Sequence, residues 1–370
     1  MAQYRHEHVA AAEYRPLPGA AGTERVSGRV HRFVTTITAG MLVFLLAACG
    51  IRLETTPPSE PIPDENEITR QAIVNDLALI QQHAALSAAD VSDEALSELL
   101  SSIEQVAMAR QDALGGTYVS GLPDAGDPTA SAQDTDASLP IVTEADPAST
   151  AARLIESAAR VRSSLDIAED PHLARAVAAL GVSHALEAQQ LMKLAEVEIA
   201  DPEALLPGEW TTSEPVLSDE QFVALVAAED YAGYVYEVSA AMREPKSRTR
   251  LLSYAKLHRD QAQLLAEMAG ISQTANDPRR IAYALPFQLS AEEPVATNKE
   301  IATITRSVEK DLAADYLTLV ASVAPADRAL LYDAALAAAR RAQTLGASFD
   351  ELFPLITGGD AIHALQSDSE

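Results

Sequence analysis

Cysteine is almost missing: Cys49 is the only one in 370 residues. An internal disulfide is therefore excluded, and so is a zinc site built from several cysteines. Tryptophan also occurs once, at Trp210, and aromatics total only 5%. That is thin for a β-sandwich or barrel, whose strands draw on aromatic and β-branched side chains. Positive charge is scarce as well, with Lys plus Arg 27 against Asp plus Glu 54, a formal charge of −27. A chain this acidic, with no basic run, is a poor binder of nucleic acid. Gly-x-Ser-x-Gly and Gly-rich phosphate loops are absent, as is the strand–helix alternation of a solute-binding protein. What is abundant is alanine, within a 48% hydrophobic fraction, and that suits packed helices. The length is enough for two ordinary domains.

Phe33 to Ala48 form an uncharged, mostly apolar stretch preceded by Arg29 and Arg32. It is short for a membrane-spanning helix, which needs about 20 apolar residues. It fits the apolar region of a signal peptide, ending in small residues. Leu46-Ala47-Ala48-Cys49 resembles a bacterial lipobox, so residues 1–48 are expected to be cleaved and Cys49 to carry acyl chains. Two or more chains anchor a protein stably where one is marginal. Residues 1–48 hold five Arg and three Glu, so their removal takes the charge from −27 to −29. The protein is then expected on the extracytoplasmic side, lipid-anchored to the membrane. The 32 residues ahead of the apolar stretch are long for such a signal, and translation from Val26 instead of Met1 would give one of ordinary size.

Residues 49–65 hold Pro57, Pro58, Pro61 and Pro63 and read as an extended tether. Two helical patterns follow, at 66–87 with Ile68, Ala72, Ile73, Leu77 and Ile80, and at 92–114 with Leu96, Leu99, Leu100, Ile103 and Ala107. Gly115-Gly116 ends the second. Residues 117–147, rich in Pro, Gly, Asp, Ser and Thr, read as a mobile surface loop. Helices are expected next at 149–168 and 171–199, the latter opened by Asp170-Pro171, with His184 and Leu194 on its apolar side. Residues 200–217 hold three prolines and read as a linker.

The second half repeats this outline. Ser218 with Gln221 is a capping-box pattern and Leu217 with Phe222 the matching staple, opening a helix to about Arg243. A second is expected at 247–269. After a long connection, Thr297 and Glu300 open a third at 298–323, and Pro325 starts the last, ending near Gly346. Residues 347–370 form a tail. The fold class is thus all-α: tandem four-helix bundles over 66–199 and 218–346.

AAEDYAGYVYEV at 227–238, LHRDQ at 257–261, AYALP at 282–286 and VEKDLAADYLTLVA at 308–321 resemble a ferritin-like domain of uncharacterised bacterial lipoproteins. CGIRLET at the start of the mature chain is similar too. The resemblance covers about 218–346 well and 66–199 more weakly, through LARAVAALGVSHALEAQQL. It implies a ferritin-like second half and no established activity.

Ferritin-like di-iron sites use inward Glu residues and Glu-x-x-His pairs. Glu229 lies on the stripe of Phe222, Leu225, Val226, Ala232 and Tyr236, and His258 lies on that of Leu251, Ala255, Ala262 and Leu265. Glu309 falls between Thr305 and Leu312, and Asp333 near Leu330 and Ala337. However, Ala255 stands where Glu-x-x-His needs its glutamate, and no histidine lies on the fourth helix. The first half offers Glu104, Glu156 and His184 without the motif. Glu229, His258, Glu309 and Asp333 therefore read either as a buried hydrogen-bonded network, with Arg259 or tyrosines as further partners, or as a degenerate site for one iron or manganese ion. Tyr231, Tyr234, Tyr236, Tyr254, Tyr283 and Tyr316 read as core fillers whose hydroxyls reach carboxylates. The expected role is non-enzymatic binding or scaffolding, with an envelope protein as partner. The alternative is metal binding or redox chemistry.

Overall fold

The computed structural model describes residues 61–118, 139–198, 217–285 and 297–347. The signal segment, Cys49, most of the tether and the body of the loop at 117–147 lie outside these residues. So do nearly all of the linker and the C-terminal tail. The chain divides into two units, Met1–Ser59 and Glu60–Glu370, and every described residue belongs to the second.

Eight helices make up the described structure, and no strand occurs among the described residues. They are α1 (Glu65–Asp90), α2 (Glu94–Ala113), α3 (Pro147–Ser164), α4 (Pro171–Ala195), α5 (Asp219–Ala241), α6 (Pro245–Met268), α7 (Asn298–Val320) and α8 (Pro325–Thr344). Their starts are set by local chemistry. The Asp64, Asp93 and Asp170 side chains accept from first-turn N–H groups. Asp146–Ser149, Ser218–Gln221 and Thr297–Glu300 each close a reciprocal capping box, which satisfies two backbone donors at once. Pro stands in the first turn of α3, α4, α6 and α8, where its missing N–H costs nothing. Gly115, Gly116 and Gly346 take left-handed φ values of 83°, 68° and 87° just past α2 and α8.

The helices pack as sequential pairs: α1 with α2, α3 with α4, α5 with α6, α7 with α8. The pairs then join, α1 onto α3 and α5 onto α7. Two four-helix sets result, and α4 packs against both α7 and α8. One continuous core of buried residues runs through both sets. Helix α4 is buried on nearly all sides, from Leu173 to Leu191, as a helix enclosed by neighbours must be. Its Gly181 marks the tightest approach. A β-carbon there would lie 2.7 Å from Val161 Cγ1 on α3 and 3.0 Å from Tyr332 on α8. Two apolar assignments fall elsewhere: Ile68 and Leu194 are exposed, near the ends of their helices where neighbours no longer cover them.

Polar bonds fix which helix ends lie together. Asn66 of α1 accepts from the N–H groups of Glu169 and Asp170, at 2.8 and 2.9 Å, just before α4. Arg328, in the first turn of α8, donates to the carbonyls of Leu165 and Ala168. The starts of α1, α4 and α8 therefore share one end. Arg243, just beyond α5, donates to the Asn298 carbonyl at 2.9 Å. Because α7 runs antiparallel to α8, that contact lies at the opposite end, where α6 and α7 begin.

Candidate functional site

Inside the second set, three of the four candidate side chains meet. Glu229 of α5, His258 of α6 and Glu309 of α7 are all buried. His258 stands between the two carboxylates, with Nδ1 2.6 Å from Glu229 Oε2 and Nε2 3.2 Å from Glu309 Oε1. An ionised carboxylate only accepts, so between two of them both ring nitrogens carry a proton and the ring is an imidazolium. Burial would lower the histidine, but the hydrogen bonds and charges of Glu229 and Glu309 outweigh it and push the group up to about 9. Burial likewise works to raise Glu309, and His258 with Arg341 outweighs it and holds Glu309 below its usual value.

Arg341 of α8 is the second cation. Its Nε donates to both Glu309 oxygens, at 2.8 and 2.9 Å. Two carboxylates, one imidazolium and one guanidinium leave these four groups neutral together, which is what makes buried charge tolerable. Two tyrosines complete the cluster. Tyr236 of α5 donates to Glu309 Oε1 at 2.7 Å, and Tyr316 of α7 donates to Glu229 Oε1 at 2.5 Å. Burial, then the neighbouring carboxylate, drives both phenols far above their usual range, so they remain donors. The Tyr236 ring also stacks on His258, 5.4 Å between centroids and 7° from parallel.

The arrangement has a two-fold pattern. Glu229 and Tyr236 are seven residues apart on α5, and Glu309 and Tyr316 are seven apart on α7. Seven residues is two turns, so each pair shares a face. On antiparallel helices each glutamate is then level with the other helix's tyrosine, and the two bonds cross.

Asp333 is not part of the cluster. It lies eight residues before Arg341, about 12 Å along α8, and turns to α3. There Arg162 grips it bidentately, Nε to Oδ1 at 2.8 Å and Nη2 to Oδ2 at 2.6 Å. Arg259, weighed as a partner for the glutamates, instead ties Asp230 to Glu237. It passes over Gly233, where a β-carbon would lie 2.8 Å from its Cδ. Asp230 also accepts from Tyr283 at 2.6 Å and from the Arg280 N–H at 3.1 Å, which pins the segment after α6 onto α5. Tyr231 and Tyr234 pack on Tyr283.

The first set holds a smaller counterpart. Arg110 of α2 donates to Glu187 of α4 at 3.0 Å and to Ser183, and Ser183 donates to Glu187 at 2.8 Å. His184 pairs through Nδ1 with Ser157 Oγ at 3.1 Å, and burial pulls its titration well below the ordinary value. Glu156 is exposed and pairs with Arg153. Glu104 is half-buried.

Sequence reasoning expected Tyr236 and Tyr316 to reach carboxylates but missed Arg341, Asp230 and which glutamate each tyrosine serves. The repeated Glu-x6-Tyr spacing was the available signal for the last. Arg341 follows Ala338 by three residues, in the alanine-rich stripe of α8, which is a weaker one.

His258 bridges the two carboxylates and the Arg341 guanidinium lies on Glu309, so the charges of the cluster balance without a metal ion. Among the described residues no group of three or more His, Cys, Asp or Glu side chains is arranged to hold a metal ion. Open depressions occur on the surface of the described residues. One is lined by Leu86, Asp90, Glu144, Asp146 and Ser149, another by Asp64, Glu67, Arg70, Asp112 and Asp170, and neither reaches the cluster. No described helix is long and apolar enough to cross a membrane.

A family model described as Domain of unknown function (DUF4439) matches residues 222–357, which takes in Glu229, His258, Glu309 and Arg341. No curated protein and no solved structure matches the chain.

Proposed function

We propose that this is a lipid-anchored extracytoplasmic protein whose second helical set is ferritin-like in topology and whose role is binding or scaffolding rather than catalysis. The observation that carries the non-catalytic reading is the closure of the Glu229–His258–Glu309–Arg341 cluster. Its charges balance, its hydrogen-bonding groups face one another, and His258 and Glu309 are fully buried. A general acid or base must reach a substrate, and His258 and Glu309 expose no surface. The long connection between α6 and α7, set between two short-turn hairpins, supports the ferritin-like topology. The lipobox at Leu46–Cys49 supports the anchor. The cluster then acts as a rigid polar clamp that locks α5, α6, α7 and α8 in one register, presenting a fixed outer surface to an envelope partner.

Two measurements test this. Mass spectrometry of the full chain from bacterial membranes should show an acylated N-terminal Cys49, absent after Cys49→Ser; an unmodified, uncleaved chain would overturn the anchor. Metal analysis of protein purified without chelator should show no stoichiometric iron or manganese. Retention of about one ion per chain, lost on Glu309→Gln, would overturn the non-enzymatic reading in favour of a metal site.

A further inference from the structure

One corner of the molecule runs against its overall charge. Arg243, Lys246, Arg248 and Arg250 follow the end of α5, and Lys299 joins them because Arg243 bonds Asn298 at the start of α7. Residues 243–250 carry four cations against the single carboxylate of Glu244, within a chain of net −27. Glu300, the nearest acid on α7, is engaged in the α7 capping box with Thr297.

Elsewhere many of the described cations are engaged by carboxylates. Arg70, Arg110, Arg153, Arg160, Arg162, Lys256, Arg259, Arg279 and Arg341 all form ion pairs. The five at the corner pair with no carboxylate among the described residues. Arg248 donates only to the Ala240 carbonyl at 3.1 Å, and the exposed side chains of Lys246, Arg250 and Lys299 bond to no described residue. Arg243 and Arg248 bond backbone carbonyls here, but Lys246, Arg250 and Lys299 repel one another and stand where the backbone dipoles of α6 and α7 are already positive.

We infer that this corner docks an extended phosphate polymer. Three of the five cations are arginines, whose forked donors match phosphate oxygens. They spread over the first turns of α6 and onto α7, wider than a single small anion. None of residues 242–250 is aromatic, so nothing there stacks a nucleobase. The corner also lies at the end opposite the start of α1, where the chain arrives from the tether. This inference rests on the extracytoplasmic reading above only for where the polymer is met.

The test is binding of the purified full chain to fluorescent long-chain inorganic polyphosphate, followed by anisotropy. Binding should weaken by about tenfold or more between about 50 and about 200 mM salt. The triple variant Lys246→Gln, Arg250→Gln and Lys299→Gln should bind about tenfold more weakly with its unfolding midpoint unchanged or raised. Arg175→Gln, Lys193→Gln and Lys310→Gln, elsewhere on the body, should bind as the parent does. Should the triple variant lose helicity, Lys246→Gln alone, at an exposed position, should still weaken binding measurably. No binding, or equal losses in the two triple variants, would overturn the inference. Tighter binding to polyglutamate would replace it with an acidic protein partner, and tighter binding to anionic-lipid vesicles with the membrane surface. None of these readouts depends on Cys49, so the inference and the anchor reading fail separately.

Discussion

Tyr236 and Tyr316 serve each other's helices: each follows a glutamate by seven residues and donates to the glutamate of the opposite helix, at 2.7 and 2.5 Å. The two bonds are alike in geometry and unlike in backing. Glu309 keeps Arg341 and His258 if Tyr236 is lost, whereas among the described residues Glu229 keeps the hydrogen bond of His258 alone if Tyr316 is lost. A hydrogen bond to a buried charge contributes about 1.5–3 kcal/mol. Tyr316→Phe is therefore expected at the upper end of that range and Tyr236→Phe at the lower, by urea unfolding. Equal losses would mean that the two carboxylates are equally well supported by other partners.

Arg341 and Glu309 should show strong coupling. Removing one partner of a buried pair costs about 3–5 kcal/mol, because the other charge stays buried and uncompensated. Arg341→Met and Glu309→Gln are each expected in that range, and the double variant should cost clearly less than the two added together. A double-mutant cycle in thermal or chemical unfolding measures this. Simple additivity would show that the pair does not act as a unit.

The protonated His258 gives the stability a definite pH dependence. It is faced by Glu229 and Tyr236 from α5, Glu309 and Tyr316 from α7, and Arg341 from α8, with Tyr254 nearby on its own helix. Its folded value of about 9 lies above the ordinary 6.5. Its contribution is thus complete below pH 6.5, falls as pH rises from there, and is gone above about 9, a total of about 3 kcal/mol. Glu309 has the opposite sign: held below 4.5 in the fold, it contributes above that pH and is lost as acid protonates it. Unfolding free energies measured from pH 6 to pH 10 should decline with pH in the parent and stay flatter in His258→Gln. A parent profile that rose over this range would mean a neutral histidine.

Two glycines should differ in their tolerance of alanine. At Gly181 the new β-carbon would meet Val161 at 2.7 and 2.9 Å and Tyr332 at 3.0 Å, all inside the core. At Gly233 the three nearest atoms would all belong to Arg259, at 2.8 Å and beyond, and that side chain is part exposed and can shift toward solvent, though its ion pairs with Asp230 and Glu237 resist this. Overpacking costs about 1–3 kcal/mol, so Gly181→Ala should lie at or above the top of this range and Gly233→Ala near the bottom. Thermal unfolding ranks them, and the reverse order would place the tight contact elsewhere.

The join between the two helical sets should behave as core. Arg162→Ala leaves the buried carboxylate of Asp333 without its cation and should cost about 3 kcal/mol. A fragment of 218–347 alone would lose the partners of Asp333, Arg328 and Gln343 and should not give a cooperative unfolding transition. A sharp transition from that fragment would show that the second set folds without the first.

Much of this architecture was legible because helices announce themselves locally. Capping boxes at Ser218 and Thr297, prolines at 171 and 325, and glycines at 115 and 346 act within a turn of chain, and a sequence displays them directly. The stripes that carry Glu229, His258 and Glu309 were legible for the same reason, since a period of 3.6 residues shows which side chains share a face. By itself the sequence determined the all-helical class, the order of the elements and three side chains that point inward. It did not determine partners. Asp333 sits on an inward face as surely as Glu309 does, yet one meets Arg162 across the join and the other meets Arg341 within its own set. Arg259 is next to His258 in the chain but serves Asp230, on the neighbouring face. Those choices depend on how helices far apart in sequence are rotated and staggered against one another. That is settled by close packing at places such as Gly181, where the tertiary structure alone decides which charge can find a counter-charge.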